Sequence, residues 1–307
     1  MNKKHYVIVI SITTFDENSV LDEAAFRAHL RRFAEAGVSV YVGGSGSGEG
    51  YALTYEERER VFQIAVEELK GKVPVAAMGC EPHVATEMTE FLKRAEANGL
   101  DFAQIFSLDI GHGAKPTPKE MEAYYATAIG DSSIPVYLSS HYSAGYFIPI
   151  DLIEKLIGRF PTIRGVAYGG TDTLYLNELI QRVGDQVDVV CAGPLNAVNA
   201  LALGGNGFMG GEGNFSPKLV QSVITAYEAG DMEALRASFS TLMSFTVTQK
   251  KYGGSSMRAM KPLLNAFGLP GGTLRAPRLP ISDEELQGVI RQTIALDLPG
   301  IPPLKGR

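Results

Sequence analysis

The feature that most constrains this chain is the recurrence of short apolar runs, rich in β-branched residues, through its first two thirds. Segments with helical periodicity lie between these runs. Strands buried on both faces read as continuous apolar runs, and intervening helices require parallel pairing through right-handed crossovers. Eight such units predict an α/β protein with a (β/α)8 TIM barrel fold. The predicted strands are residues 6–12, 38–42, 73–78, 102–106, 134–138, 165–168, 187–191 and 207–209.

Helical periodicity continues beyond the eighth predicted strand, so the barrel carries additional C-terminal helices. Residues 1–228 are predicted to form the barrel, and residues 229–307 a helical extension packed on it. A doubly wound sheet is the main alternative, but its first turn usually carries a glycine-rich fingerprint, and Thr13–Asn18 contains no glycine. The predicted helices are 21–35, 55–69, 82–97, 118–129, 174–183, 217–228, 232–249, 256–267 and 283–296.

Composition and charge exclude several classes of partner. The 307 residues are 45% hydrophobic and 20% charged, which is typical of a folded globular protein. A net charge of -6, with scattered Lys and Arg, provides no basic stripe for nucleic acid. No uninterrupted apolar run reaches the roughly 18 residues of a membrane span, and the apolar N-terminal segment is interpreted as a strand. Cys80 and Cys191 form no short-spaced motif, which favours a cytoplasmic location.

Five segments carry a family resemblance. The loop Gly43–Gly50 and the following Leu53-Thr54-Tyr55-Glu56-Glu57-Arg58 resemble the Gly-Thr-Thr-Gly-Glu signature of the dihydrodipicolinate synthase and N-acetylneuraminate lyase family, with its Leu-Thr-x-Glu-Glu-Arg continuation. Ile12–Phe15 is similar to the end of that family's first strand. Residues 207–217 resemble its Gly-x-Ile-Ser-x-x-x-Asn-x-x-Pro segment, and the Lys261-Pro262-Leu263-Leu264 and Arg278-Leu279-Pro280 motifs fit its C-terminal helices. Essentially the whole chain is covered.

The resemblance implies an activity as well as a fold. In this family a pyruvate-type 2-oxo acid is held as an imine on a lysine at the end of strand six. A tyrosine at the end of strand five relays protons, and the imine serves as the electron sink. The resemblance also implies a small-molecule carboxylate ligand, no separate cofactor, and a homotetramer or homodimer.

The imine chemistry cannot be transferred directly, because Ala167 aligns with the family lysine. Gly46 replaces the first hydroxyl of the signature loop, while Ser47 keeps the second. Gly113 stands where a second relay tyrosine is expected, and Ser143 replaces an arginine. The segment after strand five is one residue shorter, which leaves open whether Tyr137 is the relay tyrosine. These changes indicate a rebuilt pocket.

Polar residues at the carboxyl ends of barrel strands meet at one mouth of the fold. Imidazole titrates near neutral pH, so histidines in these positions are candidates for proton transfer. The predicted catalytic residues are Tyr137, His141 and His112. The predicted substrate-binding residues are Gly46, Ser47, Ser139, Tyr168 and Met209.

Three functions remain open at this stage. The first is a lyase, of aldolase or dehydratase type, acting on a small oxo- or hydroxy-acid without the lysine imine. The second is a catalytically retired barrel that binds a small molecule in a regulatory role. The third is a metal-assisted enzyme, but the candidate ligands match no compact metal motif, so no metal site is predicted. Those candidate ligands are Asp109, His112, His141 and Glu212.

Overall fold

The computed structural model describes residues 3–130, 132–252 and 257–304. The eight strands form one closed barrel, in chain order, and the paired strands run parallel. The predicted (β/α)8 TIM barrel with additional C-terminal helices is therefore confirmed. The strands are β1 Tyr6–Ile10, β2 Ser39–Val42, β3 Val75–Met78, β4 Phe102–Ile105, β5 Val136–His141, β6 Ile163–Gly169, β7 Asp188–Ala192 and β8 Gly207–Gly210.

Helices follow the strands, and three more lie after the eighth strand and its helix. Residue 256, the predicted start of one of them, lies outside the described residues. The helices are α1 Glu23–Ala36, α2 Tyr55–Leu69, α3 Ala85–Ala97, α4 Pro118–Ile129, α5 Ile150–Arg159, α6 Thr173–Val183, α7 Ala197–Ala202, α8 Pro217–Glu228, α9 Met232–Lys251, α10 Met257–Ala266 and α11 Asp283–Ala295.

Two of these helices were not assigned from the sequence, and the largest difference in the bounds of a strand is at the end of β5. Helix α7 has six residues, too few for a helical period to be recognised. Helix α5 buries Ile150, Ile153 and Leu156 along one face. Strand β5 was predicted to end at Leu138, but its ladder with β6 continues to His141. Ser139 and His141, expected in a loop, are therefore strand residues.

The chain forms two compact units. The terminal unit comprises residues 6–74 and 210–307, and includes β1, β2, α1, α2 and α8 to α11. Its core contains a cluster of buried aromatic rings, in which Phe215 contacts Phe245 and Phe267 at centroid distances of 5.5 and 5.2 Å. These contacts attach α9 and the end of α10 to the segment that follows β8. The domain boundary predicted at residue 228 stays a prediction.

The central unit contains residues 75–209 and the short segment before β1. Its strands are in register, so Ser139 of β5 lies opposite Ala167 of β6, which lies opposite Val190 of β7. Paired residues in such a ladder point to the same side, and successive residues point to opposite sides. The direction of one side chain therefore fixes the direction of its whole row.

Candidate active site

The signature loop of the terminal unit is a tight turn that depends on its glycines. A Cβ atom at Gly50 would lie 2.3 Å from the carbonyl oxygen of Gly43, and the Gly50 amide donates to Gly44 O at 2.9 Å. Gly46 is exposed and Ser47 is half-buried. A Cβ atom at Gly211 would lie 2.9 Å from Ser47 Oγ, so the hydroxyl lies beside backbone. Gly46 and Ser47, which are predicted to bind substrate, thus lie at the most accessible part of the loop.

A buried ion pair connects this loop to helix α10. Glu49 has a left-handed backbone, with φ of 50°, and its carboxylate pairs with Lys261 of α10. The Lys261 ammonium also donates to Thr273 O at 2.7 Å and lies 4.6 Å from the ring centroid of Phe15. Burial lowers the Lys261 pKa to about 8, although the Glu49 carboxylate opposes this shift. Lys261 was predicted only to lie in a C-terminal helix, because no local sequence pattern connects it with Glu49.

The asparagine of the 207–217 motif has a structural role. Asn214 Oδ1 accepts from the Ile12 amide and from His29 Nε2, each at 2.9 Å, while its amide nitrogen donates to Ile10 O and Gly211 O. Burial, followed by the nearby Arg32 guanidinium, lowers the pKa of His29 to about 3. His29 is therefore neutral at physiological pH and forms part of the core.

Glu212 follows β8 and is buried in the terminal unit. Its carboxylate accepts a hydrogen bond from Thr246 Oγ1 of α9 at 3.3 Å. Burial raises its pKa. In the described parts of the chain, no three His, Cys, Asp or Glu side chains are grouped as a metal site requires.

In the central unit, Tyr168 shows which way the β5 and β6 side chains point. Its ring stacks on Tyr175 of α6 at a centroid distance of 4.9 Å, and its hydroxyl donates to Asp172 O. Ser140, paired with Tyr168, bonds to the Tyr175 hydroxyl at 2.9 Å. Tyr168, predicted to bind substrate, thus packs against the helix layer, because strand alternation directs it away from the barrel axis.

The alternate residues of β5 and β6 point towards the barrel axis. They include Ser139, Ala167 and His141. Ser139 and Ala167 lie opposite each other, and both are almost completely buried. Small residues thus occupy the two positions that face each other across the β5–β6 ladder. Ala167 aligns with the family lysine, and the register makes Ser139 its neighbour.

His141 lies two residues further along the same face of β5. Its ring lies against Gly169, where a Cβ atom would be 1.9 Å from Cδ2. Its Nδ1 accepts a hydrogen bond from the Ser143 amide at 3.0 Å. Burial lowers the His141 pKa, and the Glu81 carboxylate partly opposes this. A neutral ring whose Nδ1 is an acceptor carries its proton on Nε2, so that nitrogen is a hydrogen-bond donor.

Tyr137 lies two residues before Ser139, nearer the start of the strand. Its ring covers Gly165, where a Cβ atom would lie 2.2 Å from Cε1. Its hydroxyl donates to Asp188 Oδ2 at 2.8 Å. Asp188 is the first residue of β7, whereas catalytic groups of TIM barrels lie at the carboxyl ends of the strands. The structure therefore separates Tyr137 from His141.

The other predicted site residues differ in exposure. His112 is exposed in a loop and has a left-handed backbone, with φ of 51°. Met209 is buried near the end of β8, and its carbonyl accepts from the Gly193 amide at 2.6 Å. Cys191 is buried, and burial raises its thiol pKa to about 12, which makes it a poor nucleophile.

Comparisons with known proteins place the chain in a family. The model of the dihydrodipicolinate synthetase family matches residues 3–295. The chain belongs to the dihydrodipicolinate synthetase family. A family relative, the 4-hydroxy-tetrahydrodipicolinate synthase of Hyphomonas neptunium, is 29% identical over 300 residues, which cover 95% of this chain and 98% of the relative.

Solved structures of this family's fold superpose over nearly the full length. The Escherichia coli K12 protein YagE, in complex with pyruvate, has a TM-score of 0.88 and 22% identity, with coverage of 96% of this chain and 99% of YagE. The sialic acid aldolase of Ruminococcus gnavus has a TM-score of 0.86 and 20% identity, with coverage of 96% and 98%. At these identities the likeness establishes the fold. No described helix is long and apolar enough to cross a membrane.

Proposed function

We propose that this family member is a lyase, of aldolase or dehydratase type, that acts on a small oxo- or hydroxy-acid without a lysine imine. Family membership and the likeness to a sialic acid aldolase support the reaction class. Ala167 supports the loss of the imine, because its methyl group provides no amine at the position aligned with the family lysine. The expected homotetramer or homodimer and the cytoplasmic location stay predictions.

The observation that carries this proposal is the hydrogen bonding of His141. Its Nδ1 is occupied by the Ser143 amide, and burial lowers its pKa, so Nε2–H is a fixed donor at neutral pH. A neutral imidazole can stabilise the oxyanion that forms on a substrate carbonyl, as a preorganised donor does in other enzymes. The substrate carbonyl oxygen thus takes the place of the imine as the electron sink, and His141 stabilises the negative charge that develops on it.

The proton that leaves the substrate also needs an acceptor. Glu81 follows β3, and its charge raises the pKa of His141, so the two groups are close enough to interact electrostatically. In the cleavage direction, Glu81 takes the proton of the substrate hydroxyl and the carbon–carbon bond breaks. The bonding electrons move onto the carbonyl oxygen held by His141 Nε2–H. Glu81 then gives this proton to the enolate carbon, so that an aldehyde and a 2-oxo acid are released and the carboxylate is restored.

Substitution of His141 tests this function. A panel of 4-hydroxy-2-oxo acids is incubated with the protein, and the released 2-oxo acid is measured. We expect His141→Ala to lower turnover by about 10²-fold or more. His141→Gln keeps an N–H donor and should retain more activity than the alanine variant. His83→Ala is the matched control, because His83 is exposed and its Nδ1 donates to Asp109 O at 2.7 Å. Equal turnover in wild type and His141→Ala would contradict the proposal.

A second candidate function is a catalytically retired barrel that binds a small molecule in a regulatory role. The facing pair of Ser139 and Ala167 favours it, since neither side chain exchanges protons near neutral pH. Binding without turnover across the whole panel would support this second function. Thermal unfolding detects such binding, because a ligand at 100 times its Kd adds about 2.7 kcal/mol of stability.

A further inference from the structure

The Ser139 hydroxyl is buried without a partner. Within the described residues, nothing lies in hydrogen-bonding geometry to its Oγ, although Ser139 is only 1% exposed. Two nearby serines are bonded: Ser140 Oγ accepts from the Ile148 amide at 3.1 Å and bonds to Tyr175, and Ser107 Oγ donates to Ser139 O at 2.9 Å. Buried hydroxyls are normally satisfied, so Ser139 Oγ has a hydrogen bond available for a ligand.

The residues in register with Ser139 on the neighbouring strands have small side chains. Ser139 lies opposite Ala167, and the same row continues through Val190 to Gly207. Two of these four residues are therefore alanine and glycine. A long side chain at the Ala167 position would extend into the space that the Ser139 hydroxyl faces, because paired residues of a ladder point to the same side.

We propose that Ser139 Oγ binds the C2 carbonyl oxygen of a 2-oxo acid, which occupies the space beside Ala167. This assignment rests on the proposed function, in which the substrate keeps its carbonyl oxygen. An imine-forming enzyme would lose that oxygen as water, and would need no hydroxyl donor at this position. Ser139 therefore determines specificity for ligands that carry an oxo group.

Ser139 and His141 approach the ligand from one strand. They are separated by two positions, or roughly 6.6 Å along β5, and their side chains point to the same face. Ser139 lies deeper, at Ala167, whereas His141 lies at Gly169. The carbonyl oxygen is therefore bound between a hydroxyl and an imidazole N–H, and both donors are already in position before the ligand arrives.

Binding measurements separate this role from a structural one. Pyruvate, 2-oxobutyrate and 2-oxoglutarate are titrated into the full-length protein by calorimetry, and L-lactate is the ligand that lacks the oxo group. We expect Ser139→Ala to weaken binding of the best oxo acid about tenfold or more, the factor that 1.4 kcal/mol represents. The preference for the oxo acid over the hydroxy acid should fall with it. Ala167→Leu, which fills the adjacent space, should abolish binding.

Ser140→Ala is the matched control, since its hydroxyl faces the helix layer and bonds to Tyr175. It should lower the unfolding temperature and leave oxo-acid affinity unchanged. If Ser139→Ala binds oxo acids as tightly as wild type while His141→Ala loses turnover, the Ser139 assignment fails and the lyase function stands. If the wild-type protein binds none of the three oxo acids, both proposals are overturned.

Discussion

The imidazole of His141 lies directly against the backbone of Gly169 on the neighbouring strand. A Cβ atom at Gly169 would lie 1.9 Å from His141 Cδ2, so Gly169→Ala must displace the ring. We expect turnover to fall by about 10²-fold, because a shift of about 1 Å in a catalytic group has effects of this size. Gly158→Ala is the control, since no atom lies within 4 Å of a Cβ built there. Wild-type turnover in Gly169→Ala would mean that His141 does not act from this position.

A contrasting prediction concerns Tyr137, which lies on the same strand as His141. The Tyr137 hydroxyl donates to Asp188 at the start of β7, so Tyr137→Phe should leave turnover within about twofold of wild type. Loss of a hydrogen bond to a charged group should lower the free energy of unfolding by about 1.5 to 3 kcal/mol. Urea unfolding and a rate assay on the same variant measure both effects. A large drop in turnover would restore Tyr137 as the relay tyrosine.

The pair formed by Lys261 and Glu49 should be strongly coupled. Lys261→Met leaves the Glu49 carboxylate buried without its cation, which should cost about 3 to 5 kcal/mol of unfolding free energy. The double variant Lys261→Met, Glu49→Gln should recover part of this loss. Lys155→Met, which breaks an exposed pair with Glu122, should cost about 0 to 1 kcal/mol. Additive effects of Lys261→Met and Glu49→Gln would show that the two residues are not paired.

Pyruvate and borohydride should leave no covalent adduct on this protein. Lys261 has a lowered pKa, but its ammonium donates to Thr273 O and pairs with Glu49, so it is not available to attack a carbonyl. Intact-mass spectrometry after reduction gives the result, with an imine-forming lysine aldolase treated in parallel. An adduct mapped to any lysine of this chain would contradict the imine-free mechanism.

His29 should make the stability of the protein depend on pH. Its pKa is about 3 in the folded protein and about 6.5 in the unfolded chain, so only the unfolded state binds a proton between these values. The His29 contribution is complete above pH 6.5 and is lost as the pH falls towards 3. The loss is about 1.4 kcal/mol per pH unit. His29→Gln, which keeps a donor for Asn214, should show a shallower slope between pH 5 and 6.5 in urea unfolding.

Periodicity and motif spacing were sufficient to predict the barrel, but they left the direction of single side chains open. Tyr168 and Ala167 are adjacent, and only the stacking of Tyr168 on Tyr175 shows which of them faces the axis. The extension of β5 to His141 depends on pairing with β6, and sequence-local signals do not contain that information.

The outcome for each predicted active-site residue likewise depends on the direction of its side chain. His141 and Ser139 were identified by residue type and position, and both lie on the side of β5 that faces the barrel axis. Tyr137 was a candidate because it lies close to the position of the family's relay tyrosine, but its hydroxyl turns towards Asp188, a contact 51 residues away in sequence. Lys261 is 212 positions after Glu49, and no local pattern connects the two.

The contact between Glu49 and Lys261 also affects when the signature loop can become buried during synthesis. The signature loop is translated 212 residues before the lysine that neutralises its buried carboxylate, and the Thr273 carbonyl that helps hold that lysine is translated later still. Until then Glu49 has no cation at this position, and a buried, unpaired carboxylate is unfavourable. We therefore expect a nascent chain that has not reached residue 261 to keep this loop exposed to solvent.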